Sequence, residues 1–167
     1  MFLAADLLVR SLHLIAAAIW AGGLVFLGLA AVASRRTLDA ESRIRFFRAV
    51  GRRFAVVGGV ALAVLIATGI DMGSDRHVWD DLGATEYGRT LRVKVVLVAL
   101  VVLLTLLHSA VQGPALSRLR EQAVARPDDA ELQAAIRRRA ARAGVVSALT
   151  LVATLAILVL AAKLVTG

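Results

Sequence analysis

The chain has 167 residues, 59% hydrophobic and 19% charged, with a mean hydropathy of +0.79, so it lacks the polar surface of a water-soluble particle of this size. Its length bounds it to one domain, and the absence of cysteine excludes disulfides, thiolate metal sites and thiol nucleophiles. With aromatics at 5% there is no stacking platform for bases, so the net charge of +8 points to anionic lipid and membrane topology, not to nucleic acid.

Four long apolar stretches follow in chain order: Leu7 to Ala33, Phe54 to Ile70, Leu91 to Val111 and Gly144 to Ala162. Each reaches or approaches the ~20 residues a helix needs to cross hydrocarbon. Lipid offers no partner for open backbone, so these are helices. The first stretch is too long for a signal peptide and has no cleavage-like end, so it is expected to be retained. The sequence predicts an all-α fold: an integral membrane four-helix transmembrane bundle. Its single domain over 1–167 has helices at about 7–33, 43–70, 90–111 and 137–164. Segment 40–53, with Ile44, Phe47 and Val50 at helical spacing, extends the second helix or lies along the membrane surface. Gly113-Pro114 is expected to end or kink the third helix, and Pro127-Asp128-Asp129 is a helix-start signal for the fourth.

Fourteen of the 20 basic residues sit in two connections, 34–53 and 112–143, whereas 71–90 is acidic. The positive-inside rule places both arginine-rich connections in the cytoplasm, and the acidic connection and both termini outside. A multi-pass protein of the inner or plasma membrane is expected, its cytoplasmic arginines meeting anionic lipid head groups.

Polar groups at hydrocarbon depth are costly and mark function. His13, Lys94 and His108 qualify. At ~1.5 Å per residue, His13 lies roughly 9 Å and Lys94 roughly 5 Å below the outer ends of their helices, while His108 lies ~21 Å deeper than Lys94. His13 and Lys94 are therefore the expected pair, and His108 is too deep to share a metal with His13. His108 with Gln112, four residues on, reads as a secondary polar cluster. Trp20 shares a face with His13, and Gly22-Gly23 open a groove that suits a ligand or a tight helix pair equally. Lys94 could also snorkel outward. The outer connection D-M-G-S-D-R-H-V-W-D-D adds Met72 and His77 to its aspartates. Imidazole suits copper, and thioether suits Cu(I) in particular. Ser147, Thr150 and Thr154 on one helical face read as hydroxyls bonding back to carbonyls.

The string L-H-L-I-A-A-A-I-W-A-G-G-L-V-F (Leu12 to Phe26) resembles the first helix of the copper resistance protein D (CopD) family. Y-G-R-T-L-R-V-K-V-V-L-V-A-L (Tyr87 to Leu100) and His108 before Gly113-Pro114 are similar to its short four-helix members. The resemblance implies copper transport or homeostasis at an outer-side site of His13 and Lys94, with His77 and Met72 adding donors. The pattern also resembles the HemJ-type membrane protoporphyrinogen oxidases, which implies the alternative of haem b with His13 as ligand. A membrane assembly subunit without chemistry is the third reading. The exposed small-residue faces suit a homodimer. No carboxylate pair or serine–histidine arrangement lies within the membrane layer, which weighs against hydrolysis and against an enzyme.

Overall fold

The computed structural model describes residues 2–75, 86–126 and 128–166, and among these there is no strand. The chain is all-α. Its helices are α1 (Phe2–Thr37), α2 (Ala40–Asp75), α3 (Glu86–Leu107), α4 (Gly113–Ala125) and α5 (Ala130–Thr166). A π-helical turn, His108–Gln112, joins α3 to α4. Four stretches are long and apolar enough to cross a membrane: Ala4–Thr37, Glu41–Ser74, Gly88–Ala125 and Ala130–Lys163. Large apolar side chains such as Leu14, Leu29, Val96 and Val159 lie exposed along them, as lipid-facing residues must.

The chain divides into two compact units, Met1–Gly88 and Arg89–Gly167. In the first, α1 and α2 form an antiparallel hairpin closed by a two-residue link. The reversal has a local cause: the Leu38 amide closes α1 on the Ser34 carbonyl at 3.0 Å, and the Asp39 carboxylate accepts the Ser42 N–H at 2.9 Å. This caps a helix start that would otherwise leave its first amides unpaired. Segment 40–53 thus extends the second helix.

In the second unit, α5 packs against α4 and the π turn. Asp129 caps α5 through the Leu132 N–H at 2.9 Å, as the Pro-Asp-Asp start predicts. Ser147 and Thr150 donate to the carbonyls of Ala143 and Val146, at 3.0 and 2.9 Å, which pairs each hydroxyl proton within its own helix.

At Gly113-Pro114, where an end or a kink is expected, α3 closes at Leu107 and α4 follows through the π turn, with Pro114 in its first turn. Proline cannot donate the next intrahelical bond, and its ring crowds the preceding turn. The chain meets this by widening that turn, so the Gly113 N–H bonds to the His108 carbonyl five residues back.

Candidate metal-binding site

The first unit holds the most developed polar site. His13, half-buried on α1, sets Nδ1 2.8 Å from the Thr68 hydroxyl of α2. That hydroxyl also lies 2.6 Å from the Val64 carbonyl, to which it donates its one proton. Toward His13 it can then only accept, so Nδ1 carries hydrogen and donates. In the neutral ring this arrangement leaves the lone pair on Nε2, the form that ligates a metal. A Cβ on Gly69 would meet Cε1 of the imidazole at 3.7 Å, an ordinary van der Waals contact, so α2 packs closely against the ring here.

Two turns further along α1, Trp20 is buried and stacks on Phe54 of α2, with ring centroids 6.0 Å apart and planes at 26°. The space left by the missing side chain of Gly23 is filled by the Phe54 ring, which also lies 3.0 Å from where a Gly58 Cβ would stand. Trp20 and Gly23 thus form a helix–helix lock in this unit. Met72 follows Thr68 by four residues on α2, hence on the same face one turn on, and is half-buried.

Lys94 is half-buried on α3, in the second unit. His108 and Gln112 are both on the π turn, where His108 Nδ1 and Gln112 Oε1 are buried without a hydrogen-bond partner among the described residues. His77 lies outside the described residues. Among the described residues, no three histidine, aspartate or glutamate side chains converge as a metal cluster.

Sequence reasoning missed Thr68 and Phe54. Thr68 could have been found: it is the one hydroxyl between Phe54 and Ile70. Phe54 is hidden because an aromatic at a span boundary reads as an interface residue.

A family model described as copper resistance protein D matches residues 48–164, well over half of the chain. The chain belongs to the copper resistance protein D family. This makes it a membrane protein of copper-resistance type. The matched stretch takes in Thr68, Met72, Lys94 and His108, and it begins after His13. No curated protein and no solved structure matches the chain.

Proposed function

We propose that the chain handles copper as cargo in transport or homeostasis, taking the ion on His13 Nε2 at the outer side of the membrane. The observation that carries this is the Nδ1–Thr68 hydrogen bond, which orients the imidazole and, in the neutral ring, makes Nε2 the ligating nitrogen. The α2 face that supplies Thr68 also offers the Met72 thioether. A soft sulfur and one imidazole suit Cu(I), which accepts few ligands, better than a hard ion that needs several oxygens. His77 is a further imidazole donor by sequence, and Lys94 is assigned to charge balance on the outer side of its own span.

Orientation supports the reading. With arginine-rich connections inside, both termini face outward. His13 then lies nearer the outer end of α1, and Met72 near the outer end of α2. An inner or plasma membrane fits this charge distribution.

Titration of the purified protein with Cu(I) against a competing chelator tests the site. His13→Ala is expected to abolish the tightest binding event and Met72→Leu to weaken it, while Lys94→Met alters the dependence on ionic strength. Unchanged stoichiometry and affinity in His13→Ala would reject the assignment and leave the reading as an assembly subunit.

The same neutral imidazole fits the axial position of haem b, which supplies one-electron redox chemistry when bound. In that case His13 would hold the iron and Thr68 would set the ring's orientation. A Soret band in protein purified from haem-replete cells, lost in His13→Ala, would favour that reading over copper.

A further inference from the structure

The apolar runs of the α1–α2 hairpin are out of step. On α1 the run continues to Ala33, whereas on α2 it begins only after Arg53. The hairpin register is set by His13 against Thr68 and by Trp20 and Gly23 against Phe54. It brings Arg53 beside the middle of the α1 run, about ten residues or ~15 Å short of the first arginine after that run, Arg35. A fixed positive charge therefore stands where its neighbour helix is still purely apolar.

At that level the two helices leave a groove of about 310 Å³, lined by Phe26, Leu27, Val50, Arg53, Phe54 and Val57. Five of these side chains are apolar, and the sixth is a guanidinium with no ion-pair partner among the described residues. Arg45 differs, because Glu41 already holds it at 2.8 Å. The groove wall is pre-formed: Phe54 is held against α1 by Trp20 and by the bare Gly23 backbone.

These features select an amphiphile with an anionic head. A free anion would find one cation among apolar walls, and a neutral acyl chain would leave the guanidinium unpaired. A phosphodiester matches the guanidinium fork through paired N–H donors, and an attached acyl chain covers the apolar wall. We propose that the groove binds one anionic phospholipid, its phosphate on Arg53 and an acyl chain along Phe54 and Val57. The site is separate from His13 and does not depend on the copper reading.

Trp20, stacked behind Phe54, is a built-in reporter. The test uses the full chain with Trp79→Phe, in phosphatidylcholine bilayers carrying a small fraction of brominated phosphatidylglycerol or brominated phosphatidylcholine. The expected result is a roughly fivefold preference of Trp20 quenching for the anionic lipid, the size of one arginine–anionic lipid pairing. It should shrink as salt rises. Arg53→Gln should abolish it, Arg53→Lys should keep part of it, and Arg52→Gln, an equal loss of charge on the next residue, should leave it. Equal quenching by both lipids, or a preference that survives Arg53→Gln, would overturn the proposal. So would a dimer dispersed by Arg53→Gln without any lipid preference, since a second copy would then be the occupant. Should Arg53→Gln fail to fold, the Arg53→Lys and Arg52→Gln proteins decide on the same readout.

Discussion

His13 on α1 and Thr68 on α2 share a 2.8 Å hydrogen bond across the hairpin, and Thr68 spends its only proton on the Val64 carbonyl at 2.6 Å. The imidazole is therefore the donor, and its ring is oriented by a residue 55 positions away. Removing the acceptor should free the ring to rotate and to exchange tautomers. Thr68→Val, nearly isosteric, is expected to weaken Cu(I) binding by roughly 10- to 100-fold, the usual effect of losing the hydrogen bond behind a ligating histidine. Thr68→Ser should retain most of the affinity. Competitive chelator titration of the three proteins checks this, and equal affinities would show that Thr68 plays no positioning role.

Gly23 and Gly22 make an internally controlled pair. A Cβ on Gly23 would run into the Phe54 ring, while one on Gly22 meets nothing within 4 Å. Gly23→Ala is expected to lose about 1–3 kcal/mol of stability through overpacking, and Gly22→Ala to be close to neutral. Adding Phe54→Leu to Gly23→Ala should restore part of the loss. Thermal unfolding in detergent measures all four proteins, and equal midpoints for the two alanine variants would contradict the lock.

Much of the fold is legible in the sequence. Four apolar runs of membrane length admit only helices, and the acidic start before Ala130 marks where α5 begins. The helix ends are less so: α1 and α2 run on to Thr37 and back to Ala40 because a single aspartate cap makes the reversal, which periodicity does not reveal. At Gly113-Pro114 the sequence reads as an end or a kink, but not as the π turn that carries the chain past it. For the site, His13 stands out as a costly group at depth. Its partner does not, because choosing Thr68 requires the sliding register of two nearly featureless helices. That register is set by side-chain fit, Phe54 over Gly23 above all.

Asp39 gives the hairpin a pH dependence. Its carboxylate is held below the ordinary 3.8, first by the Ser42 backbone N–H and then by the Ser42 side chain. A lowered folded-state value means the cap contributes in full above the ordinary carboxylate range, and is lost as pH falls through the lowered value. Amide-exchange protection in the first turn of α2, at Ser42 and Arg43, should therefore hold from neutral pH down to the mildly acidic range and drop in stronger acid. Asp39→Asn, which caps without ionising, should show little of that drop. Asp39→Ala should lack the protection throughout, and a wild-type profile flat into strong acid would show that the cap is not the source.

The π turn leaves a different signature. His108 Nδ1 and Gln112 Oε1 are buried without partners among the described residues, and a buried acceptor left unpaired costs about 1–3 kcal/mol. Gln112→Met keeps the length and removes the acceptor, so its unfolding midpoint in detergent should match or exceed that of the parent. Gln112→Glu places a charge in the same pocket and should lower the midpoint at neutral pH, recovering in acid as the carboxyl is protonated. A destabilised Gln112→Met protein would instead mean that the amide is already engaged, and His108→Phe then separates the two partners. If the loss persists in that background, the amide serves a bound water or ligand in the widened turn; if it vanishes, the amide pairs with the His108 imidazole.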